Sequence, residues 1–499
     1  MYYKFLLIIV LIFCIKDVHS QYPVDVQVAL QQTKTNKADL KKSLDYFYKS
    51  GDSLKIKSIN FLVANMPIHY TANYFWATGD NQRIAYSELN YTTFNEAVTA
   101  FNELKIKYGK LHPVPYTYRD IDSIKADYLI QNVEQACSTW QSKHNKFLTN
   151  SDWVNFSDYV LPYRVDVEAT TLWRNAYANK FNNSFTNNAT TDSIKLRQLI
   201  NSSFKNLWGT ELQNEPLPRL SAMQIFLRGK GYCEDIADMT VFIARSQGVA
   251  ASVDNVPAWA TTTGKHFTNY LQFDSIHKHF DAVLDSLGRE PGKVLRTTYS
   301  LQPQAIASWL DTAYIPNGFM RLKNYTDVTN EYWQTADFTI NLTANAAAKA
   351  VFVGVLNGGR IVPVWFAKKE DRKAIFKNMG KGVVYFPFYF FNNTMLPAGN
   401  PFALGYNNAK ELKPDTLHKH TIVIKEKEKY LKYRTGKHYQ LLIWDKQWTL
   451  HSTQVASDVC TQLIFNNVPE NALLLLVPEY SQGKERPFII EENGERIWW

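Results

Sequence analysis

The sequence predicts an α+β protein: a helical N-terminal region over 21–205, a mixed core over 206–318 built around one cysteine, and a C-terminal antiparallel β-sandwich over 319–499. Three observations carry that expectation. Apolar residues three and four apart recur through the first two hundred residues, the spacing of one helix face. From about residue 249 short β-like runs replace them, and after about residue 320 strand-like runs separated by turn residues take over. A chain of 499 residues also exceeds what one hydrophobic core organises, so two or three domains are expected.

The elements follow in order. Residues 1–20 open on a short segment with one lysine, Lys4, then eleven apolar residues from Phe5 to Ile15, then a polar end in which Val18 and Ser20 suit a small-residue cut before Gln21. This reads as a secretory signal peptide, because the run falls short of the roughly 20 residues that span a bilayer. Lipid attachment at Cys14 is the rival, weakened by the bulky Phe13 before it. Helical spacing then runs through LKKSLDYFYK, SLKIKSINFLVANM, TFNEAVTAFNEL, IKADYLIQNVEQACSTWQ and SIKLRQLINSSFKNLW, with turn-forming KLHPVPYTY and FNNSFTNNATTD between them. This half is expected to be all helix. VAASVDNV, HFTNYLQF and FDAVLDS are the β-like runs of the core. AKAVFVGVLNGGRIVPVWF predicts two strands about the Asn357-Gly358-Gly359 turn, and PFIIEENGERIWW a hairpin turning at Asn493-Gly494.

Composition narrows the function classes. Hydrophobic content of 45% with 20% charged residues belongs to a folded protein. The net charge of +9 is spread among interleaved acids, as in KEKEKYLKYR, which favours solubility over a nucleic-acid groove. No further apolar run reaches membrane-spanning length, so no transmembrane segment is expected after residue 20. Removal of the leader leaves Cys137, Cys233 and Cys460, enough for one bridge at most, so at least one thiol stays free. Whether Cys137 and Cys460 pair is left open.

Cys233 is the thiol with a setting. In RGKGYCEDIADMTVFIARSQG it follows Gly229 and Gly231 and opens a helix whose apolar face is Ile236, Met239, Phe242 and Ile243, with Gly248 as the residue past its end. At a helix N-terminus the macrodipole and unpaired N–H groups stabilise a thiolate and can hold an oxyanion. A thiolate nucleophile needs a base and an orienting group. His266, thirty-three residues on, begins a predicted strand, and Asp281, fifteen further, lies on a second one after the turn DSIHKH. Antiparallel pairing would set the two side by side. Asp274 is the alternative third member, although aspartate at a turn is ordinary.

A cysteine opening a helix as Gly231-Tyr232-Cys233-Glu234-Asp235, with a histidine leading one strand and an aspartate on the next, resembles the transglutaminase-like superfamily, whose fold is papain-like. The likeness is greatest to bacterial secreted members with a helical N-terminal region and a β-rich C-terminal domain. NMPIHY (Asn65 to Tyr70), LPYRVDVEATTLWR (Leu161 to Arg174), NYTDVTNEY (Asn324 to Tyr332) and NVPENALLLL (Asn467 to Leu476) are similar to stretches of that group. The resemblance implies that Cys233 attacks a carbonyl to form a thioester, that His266 takes and returns the proton, and that Asp281 holds the histidine tautomer. Glu234 and Asp235 match the acidic pair after the nucleophile and are expected to cap and pack the helix. Phe267 and Thr268 depart from the family's small residue and aromatic after the histidine, which alters the expected acyl site. The second oxyanion donor is not assigned, and no cofactor is implied.

Two functions from different classes follow. As an enzyme the protein would act on amide bonds of a peptide, cell-wall peptide or glycopeptide, with hydrolysis favoured over cross-linking. Alternatively it is a surface protein that binds glycan or peptide and keeps the fold without catalysis. Trp365, Trp444, Trp448, Trp498 and Trp499 suit either sugar stacking or a sandwich core. His277 with His279, and His418 with His420, read as solvated positions because no further ligand stands at metal spacing. Trp173-Arg174 and the arginine of LPYR suit a cationic cleft wall or, more simply, an ion pair with Glu168.

Overall fold

A computed structural model of the chain describes residues 22–143, 149–181, 189–206, 217–273, 276–282, 284, 286–344, 347–427, 431–491 and 494–498. The leader reading with Cys14, and the readings on Asp274, Asn493 and Trp499, fall outside the described residues, as does the side chain of Trp498.

Helices α1 (Val24–Gln31), α2 (Lys37–Ser50), α3 (Ser53–Asn65), α4 (Phe94–Tyr108), α5 (Ala126–Lys143) and α6 (Asn150–Tyr159) occupy the N-terminal region. Leu40, Leu44 and Phe47 of α2 meet Leu62, Val63, Val133 and Phe156 in one core, as their spacing requires. The Asp52 carboxylate caps α3 by accepting from the N–H groups of Leu54 and Lys55 at 3.0 and 3.1 Å. The region is not all helix. β1 (Tyr70–Ala77) and β2 (His112–Arg119) pair antiparallel, Tyr70 opposite Arg119. Pro113 and Pro115 explain the difference: they forbid helix, and a two-stranded ribbon has only edges, where missing N–H groups are tolerated.

The cysteine core consists of α7 (Arg174–Lys180), α8 (Ala189–Ser203), α9 (Ala222–Arg228) and α10 (Cys233–Ser246) beside a five-stranded antiparallel sheet. Two short strands, β3 (Lys205–Asn206) and β4 (Lys230–Gly231), pair just upstream of Cys233. The sheet runs β7-β6-β5-β8-β9, with β5 (Ala250–Val256), β6 (His266–Phe273), β7 (Ile276–Phe280), β8 (Leu295–Thr297) and β9 (Tyr325–Asp327). β9 lies beyond residue 318 and still belongs to this sheet. From Asp235 to Ser246 every residue of α10 is buried, so this is a core helix clothed by α7, β5 and β6. Gly248 takes φ +73° past its end, where a Cβ would stand 2.9 Å from the Thr139 carbonyl oxygen.

Arg174 does not pair with Glu168. Its guanidinium donates to the Asn132 side chain at 2.8 Å and to the carbonyls of Val160, Leu161 and Pro162. Arg164 bonds the Asp120 carboxylate and the Glu168 carbonyl. The Glu168 carboxylate accepts the backbone N–H groups of Val165 and Asp166 at 2.6 and 2.8 Å, so its lone pairs serve its own turn. Both arginines are buried, which also removes them from any cleft wall.

The C-terminal residues form antiparallel sheets about two adjoining cores. In the first, β10 (Thr335–Asn341) pairs β13 (Lys373–Gly380), facing a sheet of β11 (Ala350–Asn357), β12 (Arg360–Lys368), β14 (Val383–Phe391), β15 (Thr394–Pro397), β16 (Phe402–Leu404) and β17 (Ala409–Glu411). In the second, β18 (Asp415–Lys425) pairs β21 (Gln462–Glu470), facing β19 (His438–Asp445), β20 (Gln447–Val455), β22 (Leu474–Pro478), β23 (Phe488–Ile490) and β24 (Arg496–Trp498). Phe386, Trp444, Leu473 and Ile489 join the two. The expected hairpins are present at Gly358 and Gly359, both with positive φ, and between β23 and β24, where Gly494 has φ +82°. Trp365, Trp444 and Trp448 pack in these cores.

Candidate active site

Cys233 is the first residue of α10 and is half-buried. The first intrahelical bond closes from the Ile236 N–H to the Tyr232 carbonyl at 3.1 Å, so the Cys233 N–H lies in the turn that has no helical acceptor. The Asp235 carboxylate accepts the Tyr232 N–H at 2.8 Å, the capping role its position implies.

His266 opens β6 and is buried. Its Nε2 hydrogen-bonds Asp281 Oδ2, and the Cys233 side chain lies near enough to the ring to favour its charged form. With Nε2 engaged by the carboxylate, Nδ1 is the nitrogen left for sulfur. The structure thus brings Cys233, His266 and Asp281 together. Asp281 stands one residue past β7, not within a strand. The ladder ends at Phe280, whose carbonyl accepts the Thr268 hydroxyl at 2.7 Å, and Asp281 Oδ1 turns to accept the Leu284 N–H at 2.8 Å. Its second oxygen is thereby aimed at the histidine.

What aligns helix with strand was not visible in the sequence. Asn269 of β6 donates to the Ala237 carbonyl of α10 at 2.9 Å. Glu234 bonds Lys265 at 2.8 Å, tying the residue after the cysteine to the residue before the histidine. Arg219 reaches Asp238 at 2.5 Å, Glu234 at 3.5 Å and Asp166 at 3.9 Å, with its guanidinium 5.0 Å from the Phe267 ring centre. Phe267, the departure noted in the sequence, is therefore held between Arg219 and Lys265. The available signal was Glu234 and Asp238 four apart at the start of a helix whose other face is apolar, an arrangement that demands a cation.

Burial would press the His266 imidazole toward neutrality, but its hydrogen bond to Asp281 and the neighbouring Cys233 side chain outweigh this and raise its pKa to about 9. For Glu234 burial is outweighed by Arg219 and Lys265, and the pKa falls. Asp235 goes the other way: burial raises it to about 6, against the Tyr232 N–H and Arg219. A carboxyl whose folded pKa exceeds the unfolded 3.8 costs stability as pH rises between those values. Asp235→Asn keeps an acceptor for the Tyr232 N–H, so its stability relative to wild type is expected to rise from pH 4 to pH 6. Urea denaturation at both pH values checks this, and a constant difference would refute it.

The remaining candidates stand elsewhere. His277 and His279 lie on β7, not in a turn, and the His279 ring centre is 3.9 Å from that of Tyr332. His418 is exposed and bonds Asp415 at 2.8 Å. Among the described residues no group of three or more His, Cys, Asp or Glu could hold a metal ion. Cys137 and Cys460 are free thiols in separate cores; Cys137 lies 3.5 Å from the Ser58 hydroxyl.

The sequence model of the transglutaminase-like superfamily matches residues 179–277, a span that holds both Cys233 and His266. The chain carries a transglutaminase-like domain. Such a domain has a cysteine-protease-like fold and implies a peptide substrate. Among solved structures, the crystal structure of red sea bream transglutaminase is similar at 9% identity and a TM-score of 0.21, covering 84% of this chain and 76% of that one. No curated protein matches the chain. Around the transglutaminase-like domain, no helix among the described residues is long and apolar enough to cross a membrane.

Proposed function

We propose that the protein is a cysteine enzyme acting on amide bonds of a peptide, cell-wall peptide or glycopeptide, with Cys233 as nucleophile, His266 as general base and acid, and Asp281 as the group that orients His266. The observation that carries this reading is the His266 ring bonded to the Asp281 carboxylate, with the Cys233 side chain beside it at the start of a buried helix. The Cys233 thiolate adds to the carbonyl carbon, and the oxyanion is received by the Cys233 N–H at the positive end of α10. Collapse breaks the C–N bond, and the imidazolium gives its proton to the departing amine. Water then attacks the thioester, His266 takes a water proton, and the carboxylic acid leaves with the thiolate restored. Hydrolysis is favoured over transfer to an amine.

The reading extends to a cleaved leader at 1–20, export from a bacterial cell, and a division into 21–205, 206–318 and 319–499. Its test is a library of peptide amides incubated with purified protein, followed by mass spectrometry of the Cys233 peptide. An acyl adduct on Cys233, discharged by water faster than by added primary amines, is the expected result. Intact amides and an unmodified cysteine across the library would sink the proposal.

A further inference from the structure

The turn at Asn357-Gly358-Gly359-Arg360 uses only part of its sequence signal. Gly358 and Gly359 supply the two left-handed residues, with φ +59° and +73°, and Asn357 is still on β11 opposite Arg360. Its side chain is therefore not needed by the turn, and it leaves the sheet region altogether. Asn357 Nδ2 donates to the carbonyls of Trp259 at 2.9 Å, Thr262 at 3.0 Å and Gly264 at 2.9 Å, while Oδ1 accepts the Gly264 N–H at 3.0 Å. All four bonds fall on one segment, the connection between β5 and β6. That connection ends at His266, since Val256 and His266 are the last paired residues of the two strands.

The same connection holds a wall of the site. Trp259 is buried, and its ring lies 5.7 Å from the His266 ring at an interplanar angle of 22°. The Trp259 N–H closes the loop on the Gly264 carbonyl at 3.1 Å. On the other side Glu290 accepts the Ala260 N–H at 3.0 Å and the Thr261 hydroxyl at 2.7 Å. One amide in the sheet region and one segment of the core thus clasp the loop from both sides.

We infer that Asn357 is a positioning residue: from the tip of the β11–β12 hairpin it fixes the Trp259–Gly264 loop, and through the Trp259 ring it holds the His266 imidazole in line with Asp281 and Cys233. The β-sheet region is then part of the apparatus that aligns the site. This inference rests on the role proposed for His266, but its direct readout does not require turnover.

The test compares Asn357→Asp with Asn471→Asp in the full chain. Asn471 Nδ2 likewise spans two carbonyls, those of Glu411 and Lys413 at 3.0 and 3.1 Å, far from the loop, so its variant makes the same chemical change without touching the site. Asn357→Asp keeps the acceptor for Gly264 and turns a carboxylate oxygen on three carbonyls. The ring 15N resonances of His266, assigned by their loss in His266→Ala, are expected to move toward free-imidazole values in Asn357→Asp and to stay in place in Asn471→Asp. Alkylation of Cys233 at pH 6 is expected to fall about tenfold in the first variant only. Where Asn357→Asp does not fold, Asn357→Ala, which removes the donors without adding charge, gives the same comparison. Unmoved ring resonances in a folded Asn357 variant, or equal movement in both variants, would overturn the inference. Resonances that move as expected while wild-type Cys233 itself alkylates slowly would uphold the strut and count against the nucleophile.

Discussion

Replacing His266 by alanine is expected to slow alkylation of Cys233 at pH 6 by about 100-fold and to abolish amide turnover. An ordinary thiol with a pKa of about 8.5 is ionised to only roughly 0.3% at pH 6, whereas one paired with an imidazolium stays largely thiolate. The gain is smaller than the ratio of thiolate fractions, because a less basic thiolate is a weaker nucleophile. The sign of the pH dependence follows from the raised His266 pKa of about 9, against 6.5 for a free imidazole. Interactions that favour the imidazolium stabilise the fold fully below about pH 6.5 and lose that contribution as pH rises through about 9. The stability difference between wild type and His266→Ala is therefore expected to narrow across this window, and the labelling contrast to shrink with it. Peptide mass spectrometry and denaturant unfolding at pH 6, 7.5 and 9 measure both. A variant that labels at the wild-type rate at pH 6 would remove the case for an activated thiolate.

Arg219→Met is expected to be the most destabilising single change near the site, at about 3–5 kcal/mol, because it strips the partner from a buried carboxylate. Asp238 is wholly buried, and burial pushes its pKa well up, with Arg219 the chief opposing influence. Without the arginine that rise is unopposed, so the loss is larger at pH 8 than at pH 5, where the acid more readily protonates. Urea unfolding of Arg219→Met should show this trend, and Arg219→Met with Asp238→Leu should recover most of the stability. If the double variant is no better than the single one, the cost lies in lost packing on Phe267 and not in the orphaned charge.

The site was legible in the sequence to the extent that its signals are local. Gly229, Gly231, the acids after Cys233 and the apolar face of α10 mark a helix start within twenty residues, and the structure has that start at Cys233. The order Cys233, His266, Asp281 added two strand positions, and the fold brings those three side chains together. FDAVLDS alternates well enough to suggest that Asp281 lies within a strand; in the structure the ladder ends at Phe280 and the Asp281 carboxylate turns onto the Leu284 N–H. Arg219, Asn269 and Asn357 could not be found that way. Each contacts a partner distant in the chain or bonds backbone carbonyls, which any sequence supplies.

The sequence by itself determined the α+β class, the helical beginning and β-rich end, the cysteine at a helix start, and the Gly-Gly hairpin, because periodicity, caps and turn residues act over a few neighbours. Only the tertiary structure decided that the proline-rich HPVPYTYR is a strand, that Glu168 serves its own turn and not Arg174, and that the C-terminal sheets enclose two cores. It alone decided that the β11–β12 hairpin grips the loop before His266. The physical reason is common to all of these. Which buried polar group satisfies which other is settled by proximity after folding, among partners tens to hundreds of residues apart, and that pairing leaves no periodic trace in the chain.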